Sequence, residues 1–293
     1  VSDRFKNEIL AGVGNAKEKY LRYVSGSGAD SSTERVEVYL PAASGYVRYD
    51  FLHTVSASLN ANVWRIGYAY HATDSLAEDY ALTTVGEWEC AVKLDGRSDF
   101  SGGYAHGDEI MNGITFIVDG EPVDITTLTE ITAFKELSII ENSTFYDPND
   151  SATAFASHGS EHLFTDDGLT IKQSVNFSLA ETVNTMYMAM FPIAKAVSNM
   201  VVPNSNYVPL STDTARRLYN VDGAVIYKTG GKVKADFSVP RFEYLSNGFT
   251  FLCLDNGTTE YNKCYFCNVL GNVSVSAGKL MKSETKYKFA ISA

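Results

Sequence analysis

Cysteine is scarce: four residues in 293, at 90, 253, 264 and 267. That is too few for a disulfide framework. Cys264 and Cys267 have the spacing of half a zinc site, but a structural zinc needs four ligands. They read better as small buried apolar residues. No apolar run approaches the ~18 residues of a membrane-spanning helix. Positive charge is also short, with 24 Lys plus Arg against 35 Asp plus Glu, a net charge of -11. Such a field repels phosphate backbones and argues against a general nucleic-acid binder. Neutral glycans are unaffected, whereas an anionic glycan needs a local basic pocket. Gly-x-Ser-x-Gly is absent, and Gly12-Val13-Gly14 does not follow a strand, so neither a serine-hydrolase elbow nor a dinucleotide loop is indicated.

What remains is apolar and aromatic. The 293 residues are 45% hydrophobic and only 20% charged, with 18 Tyr, 16 Phe and 2 Trp. Residues 1 to about 24 carry Phe5, Ile9, Leu10, Val13, Tyr20 and Leu21 at helical spacing. Ser25 to Ser32 is Gly/Ser-rich and reads as a linker, so 1-32 is expected to be a helix and linker and 33-293 the main domain. From Thr33 the period becomes two. Val36, Val38 and Leu40 alternate with Arg35, Glu37 and Tyr39, and Trp64, Ile66, Tyr68 and Tyr70 alternate with Arg65, Gly67, Ala69 and His71. One apolar and one mixed face per strand is the pattern of packed antiparallel sheets. Turn pairs such as Asp119-Gly120, Asp167-Gly168 and Asn247-Gly248 separate about twelve strands. The expectation is an all-β fold, a large antiparallel β-sandwich of jelly-roll type with an N-terminal helix. Short helices are expected at 127-136 and 211-219, and an acidic surface loop at 141-170.

The most unusual string is Ser101-Gly102-Gly103-Tyr104-Ala105-His106-Gly107-Asp108-Glu109. Its glycines call for tight or left-handed backbone beside an imidazole and two carboxylates. An imidazole exchanges protons near neutral pH, and a carboxylate can fix its tautomer. Here His106 is the candidate base or acid and Tyr104 the candidate phenol. Arg65 and His71, on one polar strand face, are the candidate anion-stabilising or acid–base partners. Base, phenol and Arg are the requirements of β-elimination beside a uronate carboxyl, which makes a metal-independent polysaccharide lyase the first reading.

Glycoside hydrolysis is the second. It needs two carboxylates ~5–9.5 Å apart, with Asp108 or Glu109 paired to Glu87, Glu89 or Asp50. The third is a non-catalytic glycan-binding or adhesion module, in which exposed aromatic rings stack on sugar rings. No cofactor is required by these readings. Asp-rich loops are compatible with a structural calcium, and His106, Asp108, His158 and His162 are candidate transition-metal ligands.

The Gly-Gly-Tyr-Ala-His-Gly-Asp-Glu string, with Val63-Trp64-Arg65 before it and Met188-Ala189-Met190-Phe191-Pro192 after it, resembles modules of phage or prophage tail-associated carbohydrate-active proteins. The resemblance implies an extracellular or virion-associated protein, a homo-oligomer or part of a larger tail assembly. Its partner would be an acidic bacterial surface polysaccharide. The chain lacks the repeated rungs of parallel-helix tailspikes.

Overall fold

The structure, a computed structural model, describes residues 17–26, 32–245, 252–253 and 260–292; the side chains of 32, 33, 104, 252 and 253 lie outside that description. The first strands are β1 (Lys19–Ser25), β2 (Ser32–Pro41), β3 (Tyr46–Ser56), β4 (Ala61–Ala72) and β5 (Glu78–Ala81). After β6 (Ala91–Leu94) comes a four-residue helix, α1 (Gly103–His106), then β7 (Glu109–Val118), β8 (Glu121–Val123) and β9 (Thr132–Phe134). The long central strands are β10 (Leu137–Asp147), β11 (Asp150–Thr165), β12 (Gly168–Phe177) and β13 (Glu181–Ala194). The remainder are β14 (Met200–Pro203), β15 (Leu210–Ser211), β16 (Gly223–Tyr227), β17 (Val233–Phe242), β18 (Leu252–Cys253), β19 (Tyr261–Val275) and β20 (Leu280–Ile291).

These strands make two very unequal sheets. The larger runs β15-β14-β16-β17-β20-β12-β11-β10-β7-β4-β3-β2-β1-β9, with β5 attached to β4 and β8 to β7. The smaller is β18-β19-β13-β6. Sequence neighbours pair as hairpins where the turn chemistry allows. Asp119 and Gly120 both have positive φ, 54° and 90°, as the β7–β8 turn requires. One short pair is parallel, Ala61 and Asn62 of β4 beside Glu109 and Ile110 of β7. The fold is therefore all-β but mixed in strand direction. The jelly-roll expectation is corrected, because a jelly roll folds its Greek keys into two comparable sheets.

The main core lies between the sheets. The Trp88 ring sits 5.2 Å from Phe191 of the small sheet and 4.9 Å from Tyr287 of the large one. Phe237 and Phe266 meet at 4.8 Å. Tyr287 donates its hydroxyl hydrogen to the Met190 carbonyl across the gap at 3.0 Å.

Inward positions change chemistry together along four adjacent strands. Glu141 of β10, Ser160 of β11, Gln173 of β12 and Ser283 of β20 stand side by side in register. All are buried, with Ser143, His158, His162 and Thr285 beside them. An apolar cluster containing Ile139, Phe164, Ile171 and Tyr287 flanks this polar belt on one side. A second, with Phe145, Ala156, Val175 and Met281, flanks it on the other.

Several expectations need correction. Lys19–Ser25 is a strand, paired with β2 and β9, so a helix does not extend to residue 24; residues 1–16 lie outside the described residues. Alternating Leu21 and Tyr23 serve strand pairing as well as they fit a helical stripe. At 125–127 there is a single 3-10 turn followed by β9, and residues 212–219 hold turns and bends rather than a helix. The expected loop at 141–170 is mostly β10, β11 and the start of β12. Its inward residues are polar, so hydropathy alternation is missing where strand geometry is present.

Candidate functional site

The glycine-rich string folds as its chemistry requires. Gly102, Gly103, Gly107 and Asp108 all have positive φ, 124°, 70°, 79° and 51°. A Cβ on Gly102 would overlap the Cys90 carbonyl, and one on Gly103 would overlap the Glu89 carboxylate. The tight backbone thus wedges α1 between two buried carboxylates. Glu89 lies against the Gly103 side, with the Ala105 amide 3.3 Å from Oε2. Glu109 accepts from the Gly103 amide at 2.5 Å. Asp108 turns the opposite way from Glu109 and accepts from Asn60 Nδ2 at 3.0 Å.

Behind this wedge is a sealed ionic cluster. The Arg65 guanidinium pairs with Glu109 and, at 3.0 Å, with Glu141. Ser143 donates to Glu109, and His158 Nδ1 lies 2.8 Å from the same oxygen. Glu141 also accepts from the Trp64 amide at 3.0 Å. Arg65 is 3% exposed, and Glu109 and Glu141 still less. Burial pushes Glu141 up to about 7, because Arg65 offsets it only in part and Glu109 adds a negative neighbour. For Glu109 burial also opposes the charge, but Arg65, His158 and Ser143 outweigh it and hold the carboxyl at about 2. Burial lowers His158 and His162, so both stay neutral imidazoles.

These shifts fix a pH dependence of stability. Glu109 is depressed from its ordinary 4.5, so its contribution is complete above 4.5 and is lost as pH falls toward about 2. The depressed histidines lose theirs as pH drops below their ordinary 6.5. Glu141 acts oppositely: its raised value contributes most at low pH and the contribution is lost as pH rises through about 7. Histidines and Glu141 therefore oppose each other between pH 6.5 and 4.5, and the steepest loss is expected below 4.5. Denaturant unfolding at a series of pH values checks this; in Glu109→Gln the limb below 4.5 should flatten.

His106 faces the other way, onto the outer side of the small sheet. Its ring lies 4.9 Å from Phe100, with Nδ1 3.3 Å from Asp99 and Nε2 3.9 Å from Glu89. Burial lowers its pKa, with Asp99 and Glu87 opposing, and the ring remains a quarter exposed. Phe100 stacks on Tyr187 at 6.0 Å, and Tyr187 meets Tyr265 at 5.4 Å. Glu87 accepts from Tyr261 at 2.9 Å and from Tyr265, with Lys263 Nζ at 3.4 Å. Strand period two explains the grouping: Tyr261, Lys263 and Tyr265 are alternate residues of β19.

The structure brings together some of the expected residues and separates others. Arg65 meets Glu109 inside the molecule. His106 is outside it, across the α1 wedge. His71 is in a third place, with Nδ1 2.9 Å from Asp79, Nε2 3.0 Å from the Ser44 carbonyl and its ring stacked on Tyr80. The reason is a bulge opposite Asp50 and Phe51. It inserts Gly67, whose own Cβ would strike Leu52, so Trp64, Ile66 and Ala69 share one core. The alternation inverts, and Arg65 and His71 no longer share a face. The Tyr104 side chain lies outside the described residues. His158 of the inner cluster was a candidate only as a metal ligand; Glu141 and Ser143 beside it, and Tyr187, Tyr261, Lys263 and Tyr265 of the outer patch, had no sequence signal beyond strand alternation. Among the described residues no group of three or more His, Cys, Asp or Glu is placed to hold a metal ion, and no helix is long and apolar enough to cross a membrane.

No protein-family model matches the chain, and no curated protein does. Solved structures do match. One is a 4-α-glucanotransferase from Thermococcus litoralis, at 6% identity and TM-score 0.45, over 87% of this chain and 37% of that one. Another is an α-galactosidase from Geobacillus stearothermophilus, at 8% and 0.44, over 87% and 40%. A third, described as an aldose 1-epimerase, comes from Escherichia coli K12, at 10% and 0.42, over 88% and 100%. The chain spans about two fifths of the length of the first two. These are carbohydrate enzymes by name and not phage tail proteins. The tail-protein resemblance is corrected: no family model or curated protein of that kind matches, and short strings of this sort occur in unrelated chains.

Proposed function

We propose that the chain acts on carbohydrate at the outer face of the small sheet, by acid–base chemistry of the glycoside-hydrolase kind. The observation that carries this reading is the pair of half-buried stacked rings Phe100 and Tyr187, seated on the buried Tyr265 and bordered by His106 and Glu87. Aromatic faces take the C–H faces of a sugar, and the bordering polar groups meet its hydroxyls. His106, kept neutral by burial, is the proton acceptor. Glu87, held by two phenols and Lys263, stands beside the scissile oxygen: its carboxyl gives a proton to the leaving oxygen while His106 takes one from the attacking water. No cofactor enters this chemistry.

The lyase reading loses its anion-stabilising residue, because Arg65 is 3% exposed and already shared between two carboxylates. Asp108 and Glu109 yield their hydrolytic roles to Glu87 for a similar reason: Glu109 is sealed inside, and Asp108 is directed to Asn60. A second reading, carbohydrate binding without turnover, is favoured by one feature. Glu87 already accepts from Tyr261 and Tyr265 and pairs with Lys263, which occupies the carboxyl group that turnover would need.

Incubation with a panel of neutral oligosaccharides, followed by reducing-end and ultraviolet assays, separates these outcomes. Reducing ends should appear without an unsaturated product. His106→Ala and Glu87→Gln should each lower the rate by about 10²–10⁴-fold, with the fold unchanged by circular dichroism. Tyr187→Ala should weaken binding by about tenfold, in line with ~0.5–1.5 kcal/mol for a ring contact beyond its area. Retention without release establishes the binding reading. An ultraviolet-absorbing product restores the lyase, and neither binding nor release ends the proposal.

A further inference from the structure

A second recognition surface lies on the opposite side of the molecule, on the face of the large sheet turned away from the small one. There the outward side chains of β10, β11, β12, β20 and β17 form a groove of about 340 Å³, within the ~300–1,000 Å³ of small-molecule sites. The strand register accounts for its shape. One transverse row is Ile140, Glu161, Lys172, Glu284 and Arg241, long and mostly charged. The next is Asn142, Gly159, Ser174 and Lys282, short except at its end. Gly159 makes the floor of the trough: a Cβ there would stand 3.0 Å from Ser174 Oγ and 3.5 Å from Asn142 Oδ1. Its φ is not positive, so backbone conformation does not demand glycine; only the groove benefits from the missing side chain.

Charge gives the groove a character unlike the rest of the chain. The net charge of the whole is -11, yet the groove carries Lys172, Arg241 and Lys282 against Glu161 and Glu284. Lys172 is already paired with Glu161 at 3.0 Å. The head groups of Lys282 and Arg241 make no hydrogen bond or ion pair among the described residues, although both line the groove. Two uncommitted cations stand beside a floor of amide and hydroxyl groups. A flat trough of hydrogen-bonding groups matches the hydroxyls of a polyol, and the cations match a carboxylate carried on it.

We infer that this groove binds a carboxylated saccharide of the uronic-acid type, its carboxylate on Lys282 and Arg241 and its hydroxyls on Asn142 and Ser174. The site is separate from the ring surface near His106 and does not depend on that surface being catalytic. It supplies the local basic pocket that an acidic chain needs to hold an anionic glycan.

Calorimetric titration of the full chain with galacturonate and glucuronate oligomers tests the inference, with the neutral galactose and glucose oligomers and with acetate as probes. Uronate oligomers should bind, and Lys282→Gln and Arg241→Gln should each weaken binding by about tenfold or more, as should Gly159→Ala by filling the floor. Affinity should fall as salt is raised. His106→Ala should bind uronates as the parent does, which separates this site from the outer face of the small sheet. Neutral oligomers bound as tightly as the uronates and weakened alike by Lys282→Gln and Arg241→Gln overturn the inference. So does binding of acetate as tight as that of the uronates, or uronate binding that survives both Lys282→Gln and Arg241→Gln.

Discussion

Arg65→Met should cost the fold about 3–5 kcal/mol, the cost of stranding one member of a buried ion pair. Among the described residues Arg65 is the only cation paired with Glu109 and Glu141 in the sealed cluster. Without it Glu109 keeps Ser143, His158 and the Gly103 amide but loses the partner that offsets its burial. It must then take up a proton or draw water into a packed interior. The double replacement Arg65→Met with Glu109→Leu should be less destabilising than Arg65→Met alone, because it removes the stranded charge along with its partner. That non-additivity, read from denaturant midpoints, is the signature of direct coupling. A single replacement costing under ~1 kcal/mol, in the range of an exposed pair, would mean that the cluster is open to solvent.

Gly102→Ala is the second large effect, and it links fold to site. Gly102 has φ 124° and ψ 137°, outside the regions open to residues with a Cβ. Strain of this kind costs about 1–3 kcal/mol. The added methyl would also run into the Cys90 backbone, which cannot rotate away as a side chain can. α1 must shift, and His106 with it. The expected result is a lowered melting temperature together with loss of carbohydrate affinity at the outer face. Gly96→Ala serves as the control: its φ is 72°, but nothing stands within 4 Å of the new Cβ. It should lose some stability and keep affinity. Full affinity in a folded Gly102→Ala protein would remove α1 from the site.

Much of the sheet was legible because period-two alternation is local. β2, β3 and β4 are where Val36-Glu37-Val38, Val47-Arg48-Tyr49 and Trp64-Arg65-Ile66 placed them. The left-handed turns around His106 were legible for the same reason: glycine is the residue that adopts such backbone without strain. β10 and β11 resemble loop in sequence because Glu141, Ser143, His158, Ser160 and His162 are polar and yet point inward. Polar inward positions erase the hydropathy contrast on which strand recognition depends.

The amino-acid order alone determined that this is a β protein, that its glycine-flanked segment would be tightly turned, and that its net charge is negative. All of these follow from one residue and its near neighbours, or from a sum over composition. Only the tertiary structure decided that Arg65 belongs to Glu109 and Glu141 rather than to His106. It also decided that His71 lies apart and that Tyr187, Tyr265 and Glu87 gather beside His106. Those outcomes depend on a single bulge at Gly67, on pairing between strands far apart in the chain, and on which sheet face the partner covers. A strand's own sequence carries its periodicity, but which of its two faces is sealed is settled by what packs against it.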